Sequence, residues 1–370
     1  MTSRWFRIKR LWLCLLAGCL ASITSPHVFA QTASAPVCDP SPEVKAALDQ
    51  LPSDQTLDQT EYQFREARRS AIRALMQRYP GDVFVQRMYI RSMSSWNTPS
   101  DQEKVIAEYK ALHDQRPDDA YISYLYGITV QGRNTSQAIK LFTAALEKAP
   151  NLPWPHLELV YAYSAPNFLD KPKALAHVNA FLSACPSTLE GYSLLSSPIR
   201  PDDNDLIRQA ASRLRQILLP RTDPDALGAY STLWSLEFAA HPRSDYDAVR
   251  KQVAADVTRI RALDLEKTRQ WWSALQEGYK LTNDQKQSDW AADQGARRFP
   301  SPWNFPERSQ WYKDHEYPGS DAPTDKKKAY YTDLLKQTDQ WIKQRPNSYY
   351  IWWDRLDALK QSRRCLNSGS

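Results

Sequence analysis

The chain reads as an all-α protein, a right-handed helical solenoid built of helix pairs, and three observations lead there. The first is a recurring apolar frame closed by proline. Ala138, Phe142 and Ala145 lie at spacings of four and three, with Pro150 five residues further on. Side chains so spaced share one face of a helix, and the proline stops that helix soon afterwards. The frame recurs as Val105, Tyr109, Leu112 and Pro117, as Ala174, Val178, Phe181 and Pro186, and more loosely as Arg68, Ile72, Leu75 and Pro80. Successive closing prolines stand 37, 33 and 36 residues apart. The second observation is composition: 370 residues, 42% hydrophobic and 24% charged, supply a sizeable core, while only 10 glycines stand against 25 prolines. Scarce glycine argues against phosphate-cradling loops and against a β-rich chain full of tight turns. The third is that no alternating apolar–polar run is long enough for a confident strand.

Taken in order, residues 1–30 read as an export signal. Arg4, Arg7, Lys9 and Arg10 precede an apolar run from Leu11 to Ile23, and Val28-Phe29-Ala30 offers a cleavage site after Ala30. That run is too short for a relaxed membrane span. A rival reading is Leu16-Ala17-Gly18-Cys19 as a lipoprotein box, with a lipid anchor on Cys19 and an outer-membrane location; soluble cleavage is favoured, and with it a bacterial periplasm. Residues 31–59 follow as a linker with a short helix, and 60–186 hold the regular frames. Gly81-Asp82 and Asp118-Asp119 are placed to cap the next helix. From 187 to 298 the frame decays while the helical signal continues. Leu206, Ala210, Leu214 and Ile217 form one stripe and Tyr230, Leu233, Trp234 and Phe238 another. Val249, Val253, Val257, Ile260 and Leu263 mark a long amphipathic helix. Residues 299–324 form a loop rich in proline and aromatics. Residues 325–370 are expected as a helix pair with a disordered tail, the last helix striped by Tyr349, Trp352, Leu356 and Leu359.

Residues 60–186 resemble the tetratricopeptide repeat family, whose unit is a helix–turn–helix of about 34 residues. Residues 138–150 match every element of its second-helix pattern (small, aromatic, small, proline), and 174–186 match with Val178 and Phe181 in the aromatic and small places. First helices match less closely: Tyr89 and Trp96 fall at bulky places and Ala162 at a small one. Before Pro150, Ile122 and Tyr126 take the Trp and Gly places, and Gly127 comes one residue late. The resemblance implies a groove lined by the first helix of each unit, into which Ser123, Gln131, His156 and Tyr163 would point. It also implies a protein or peptide partner.

Charge and chemistry narrow the remaining classes. The net charge is +6, but the first 30 residues supply +4 of it, which leaves +2 on the rest and no footprint for nucleic acid. Beyond Ala30 three cysteines remain, Cys38, Cys185 and Cys365, too far apart for a Cys-x-x-Cys pair. One long-range bridge stays open, yet separate thiols, with Cys185 helical and packed, are the favoured reading. His156 and Glu158 sit two apart on an expected helix and so face different ways. His113 lies in a last helical turn, where the helix dipole accounts for it, and His177 reads as packed or solvated. No catalytic residues, cofactor fingerprint or metal set emerges, so no cofactor is expected and the chain is read as no enzyme. Asn134-Thr135-Ser136 is a glycosylation sequon expected to be silent in a bacterial setting.

Eight tryptophans from Trp271 onward suggest either packing in an irregular helical region or an aromatic ligand surface, with Trp303 and Trp311 as its candidates for glycan or cell wall; packing is favoured. A second resemblance joins residues 151–159 and 181–186 to exported bacterial proteins in which a helical region precedes a thioredoxin-like domain of the thiol–disulfide reductase type. It implies an accessory role in such a system, without the redox domain, since this chain has no Cys-x-x-Cys. The principal expectation is a non-catalytic, exported scaffold that binds protein or peptide.

Overall fold

The computed structural model describes residues 37–52, 55–56, 59–94, 99–195, 201–202, 204–266, 268–301, 305–319 and 321–367. The segment read as an export signal, with Cys19, lies outside them, as do Trp96 and Trp303. The described chain is all-α. It opens with α1 (Pro42–Asp49), α2 (Glu61–Arg78), α3 (Val83–Ser94), α4 (Pro99–Gln115), α5 (Ala120–Val130) and α6 (Thr135–Lys148). It continues through α7 (Trp154–Ser164), α8 (Lys171–Ala184), α9 (Leu189–Ser193), α10 (Asn204–Leu218), α11 (Pro224–Ala240) and α12 (Tyr246–Ala262). It closes with α13 (Arg269–Leu281), α14 (Gln285–Arg298), α15 (Pro306–Asp314), α16 (Thr324–Gln344) and α17 (Tyr349–Asn367). Neighbours in sequence are neighbours in space, in an array of helix pairs: α5 lies along α6, α7 along α8, α13 along α14 and α16 along α17.

The proline frame sets the helix ends. α2, α4, α6 and α8 each stop two residues before Pro80, Pro117, Pro150 and Pro186, and α14 and α16 stop likewise before Pro300 and Pro346. The following helices start on the caps foreseen. Asp82 accepts from the amides of Phe84 (2.9 Å) and Val85 (3.0 Å), and Asp119 accepts from that of Ile122 (3.1 Å). Asn134 of the sequon caps α6 through the Gln137 amide, 3.0 Å away. Each cap satisfies a donor that the first helical turn leaves without a partner.

The frame residues form the core. Ala138, Phe142 and Ala145, like Ala174, Val178 and Phe181, are fully buried. Gly127 explains the irregular first helix: a Cβ there would lie 2.4 Å from a ring carbon of Phe142, so α5 and α6 cross at a distance only glycine permits. Further on, α10 buries Leu214 as expected, but the rest of its buried stripe, Ile207, Ala211 and Leu218, falls one residue later than expected, and Leu206 is exposed. On α17 the correction is larger. Ile351 and Ala358 are buried, whereas Tyr349, Trp352 and Leu356 face solvent. One apolar cluster runs unbroken from Val83 to Ala291; a second joins Phe305, Trp311, Tyr331, Leu334, Trp341, Ile351 and Ala358. α15 packs on α14 between them, and Lys313 pairs with Asp293 at 2.8 Å.

The cysteines correct the sequence reading most plainly. Cys38 and Cys185 form a disulfide, with Cα atoms 5.4 Å apart and 147 residues of separation. Cys185 is packed as expected, but at the C-cap of α8 and covalently bound. Spacing carried no sign of the partner, because only the folded array brings the two thiols together. Around the bridge the N-terminal segment is laid across the helix ends. The Trp154 indole donates to the Val37 carbonyl at 2.9 Å, Glu43 takes Arg78 (3.0 Å) and the Tyr79 hydroxyl (2.7 Å), and Lys45 reaches Asp225 at 3.6 Å. Residues 37–49 thus form a strap from the end of α2 past α8 to the start of α11.

Candidate functional site

The first helices of successive pairs, α3, α5, α7 and α9, meet around a cluster of charges. Arg87 and Arg91 sit one turn apart on α3 and so share a face. Both turn toward Glu158 on α7 and Glu190 on α9. Arg87 Nη2 lies 3.5 Å from Glu158 Oε1 and 3.7 Å from Glu190 Oε2. Arg91 Nη2 is 3.1 Å from Glu158 Oε1, and its Nη1 is 3.5 Å from Glu190 Oε1. The Arg87 guanidinium also lies 4.1 Å over the Trp154 ring, a cation–π contact.

This cluster has a buried half and an open half. The side chains of Glu158 and Arg87 are only 3% and 8% exposed, against 31% for Glu190 and 43% for Arg91. Beneath them the Tyr124 hydroxyl on α5 is buried and makes no hydrogen bond, nor does Arg87 Nε. Burial pushes the Tyr124 phenol well up, so it stays a donor. Burial works against the Arg91 charge, but Glu158 and Glu190 outweigh it and hold the guanidinium protonated. Tyr161, three residues beyond Glu158 on α7, is exposed beside the open half. Buried ion pairs seldom gain stability over an apolar replacement, because desolvation consumes most of the attraction. What the arrangement provides is an outward rim of one cation, one anion and a phenol on a rigid base.

A second charged group shows the contrast. Arg215 on α10 binds Glu237 of α11 (2.5 Å) and Asp256 of α12 (2.6 Å), and the Trp234 indole donates to Asp256 at 3.0 Å. Burial raises the Glu237 carboxyl despite Arg215. Its members all face inward, and it ties three helices together.

The four residues expected to line a groove are dispersed. Ser123 is buried; its hydroxyl donates to the Asp119 carbonyl (3.0 Å) and accepts from Lys148 (3.2 Å). Gln131 is half-buried and donates to the Glu158 carbonyl at 3.2 Å, which places it beside the cluster as a tie between α5 and α7. His156 and Tyr163 turn instead toward α8: the Nδ1 atoms of His156 and His177 are 2.9 Å apart, and Tyr163 stacks on His177 at 5.8 Å. Glu158 faces the other way, toward α3, as its spacing from His156 required. Trp311 is buried, stacked on His315 at 4.3 Å and packed against Trp341, so its ring belongs to the C-terminal core and offers no ligand surface. The signal that was missed is Gly127: moving the α5 frame by one residue replaces Ser123 with Tyr124.

The histidine pair gives a pH prediction. Burial, helped by His156, brings His177 down to about 4, and burial lowers His156 as well. The unfolded chain, with histidines near 6.5, therefore binds more protons than the folded one between those values. Stability is complete above pH 6.5 and falls as pH drops toward 4. Urea unfolding at pH 5 is expected to show a loss of about 1–2 kcal/mol relative to pH 7, and His177→Gln should remove most of that difference. An unchanged difference in the variant would assign the effect to other groups.

Among the described residues no group of three or more His, Cys, Asp or Glu is placed to hold a metal ion, and no helix is long and apolar enough to cross a membrane. A groove of about 620 Å³ beside α12 and α13 is lined by Val257, Arg261, Tyr279, Thr282 and Asp284.

Fold and site together define an all-α helix-pair array with a mixed-charge rim across its first helices. No protein-family model matches the chain, and no curated protein matches it. Among solved structures, the APC/C hetero-tetramer Cut9–Hcn1 aligns over 88% of this chain at 14% identity, with a TM-score of 0.38. The chain spans 59% of the length of the one it matches there.

Proposed function

We propose that the chain is an exported, non-catalytic scaffold that binds a protein or an extended peptide along the face shared by α3, α5, α7 and α9. The observation that carries this reading is the Arg87–Arg91–Glu158–Glu190 cluster. Its inner half is locked between helices and its outer half presents Arg91, Glu190 and Tyr161 to solvent. Stacked helix pairs offer such faces to extended ligands. A guanidinium and a carboxylate side by side suit a peptide, whose backbone and side chains present both acceptors and donors. Export is supported by the basic–apolar–small order of residues 1–30 and by the Cys38–Cys185 bridge, since disulfides persist in oxidising compartments. The bridge gives no support of its own to a thiol–disulfide role, because the chain carries no Cys-x-x-Cys and Cys185 is fully buried.

The test is capture of a partner from the cell envelope, followed by titration of that partner against Arg91→Glu, Glu190→Arg and Tyr161→Ala. Each variant is expected to bind about tenfold more weakly or worse, with helical content unchanged. If all three bind as the parent does, the face is not the site.

A further inference from the structure

The last helix turns an apolar face to solvent. Ile351 and Ala358 bury the inner side of α17 against its neighbours, while Tyr349, Trp353 and Leu356 are 54%, 59% and 61% exposed. Spacings of four and three put these three on one face. That face continues through Asp357, Lys360 and Arg364, all exposed. Its two halves differ in chemistry, aromatic toward the N-terminus and basic toward the C-terminus. The six positions are also symmetric about the point between Leu356 and Asp357: one residue out on each side, then four, then eight.

An antiparallel copy of the helix therefore sets Tyr349 opposite Arg364 and Trp353 opposite Lys360, with Leu356 beside Asp357 at the centre. Each pairing occurs twice. Both outer pairings place a cation over an aromatic ring, an attraction that strengthens as water is excluded. Parallel pairing would instead set Lys360 on Lys360 and Arg364 on Arg364. The face is thus complementary to itself in one orientation only, which is the requirement of a two-fold interface.

We propose that α17 is a dimerisation helix, two copies of the chain pairing antiparallel about an axis between Leu356 and Asp357. A contact made by one helix from each copy lies at the small end of stable interfaces, so the association belongs in the micromolar range. It does not depend on the proposed peptide-binding face.

Sedimentation velocity over a micromolar concentration series tests it. The purified protein should pass from monomer to dimer. Trp353→Lys sets a cation against Lys360 and should weaken the dimer about tenfold or more; adding Lys360→Glu should restore it by placing opposite charges at both copies of that pairing. Trp353 is exposed, and circular dichroism checks that the variants keep their helices. A protein that stays monomeric throughout, even one that captures a different protein through this face, overturns the proposal. So does a dimer indifferent to Trp353→Lys, or one that Lys360→Glu fails to restore.

Discussion

Breaking the Cys38–Cys185 bridge is expected to cost about 3–5 kcal/mol of stability. The bridge closes a segment of 147 residues, and the entropy it removes from the unfolded chain, about 5 kcal/mol on the loop-closure account, grows with that length. Packing adds to it. With the bond gone, the contacts left to hold the strap include one indole hydrogen bond to Val37, buried Val44 and surface ion pairs, the last of which contribute little. Urea unfolding with and without reductant measures the difference, and Cys38→Ala should unfold like the reduced parent. Cys365→Ser should leave the midpoint unchanged, because Cys365 lies on α17 outside the bridge. A non-reduced digest lacking the Cys38–Cys185 cross-linked peptide would sink the prediction at once.

Removing the carboxylate at the centre of the charge cluster is the second large effect. Glu158→Gln leaves Arg87 nearly sealed from water, with Glu190 at 3.7 Å as its remaining ion-pair partner; breaking a buried pair costs about 3–5 kcal/mol, and with Glu190 still in place the loss is expected at the lower end of that range. Arg91→Ala should cost less than about 1 kcal/mol, since that side chain is half in water. Combining Glu158→Leu with Arg87→Met should recover most of the loss, because the pair is then replaced by apolar groups of similar size. Urea unfolding of the single and double variants, arranged as a double-mutant cycle, gives the coupling directly. A Glu158→Gln midpoint matching the parent's would mean that the cluster is solvated and its geometry of little consequence.

The helices were legible because their signals are local. Proline two residues past the ends of α2, α4, α6, α8, α14 and α16, an aspartate at the starts of α3 and α5, and three apolar side chains on one face all act within a turn or two. The charge cluster was not legible, because Arg87, Glu158 and Glu190 meet only after three helix pairs stack. No spacing along the chain records that. The phase of α5 was misplaced for a related reason: a first helix packed on both sides is apolar nearly all round, as α5 is from Ile122 to Val130, and a helix without a polar face has no face to read. Gly127 alone marked the phase, through the approach of Phe142. On α17 the aromatic stripe reads as core because large apolar residues usually are; the structure gives the core to the smaller Ile351 and Ala358 and leaves the rings outside.

The strap has a consequence for the order of events as the chain is made. An array of helix pairs folds through its neighbours, each unit settling on the one before it. Cys38 breaks that rule, since it emerges first and its partner is offered only once α8 has been made and docked. Until then the leading segment is tethered to nothing that lasts. Closure thus records that the helices from α2 to α8 have assembled in register, and it comes before α17 brings Cys365 into reach. Sequence of emergence, rather than affinity between thiols, then sets Cys185 ahead of Cys365 as the partner of Cys38, and a chain stalled before α8 is left with the Cys38 segment open.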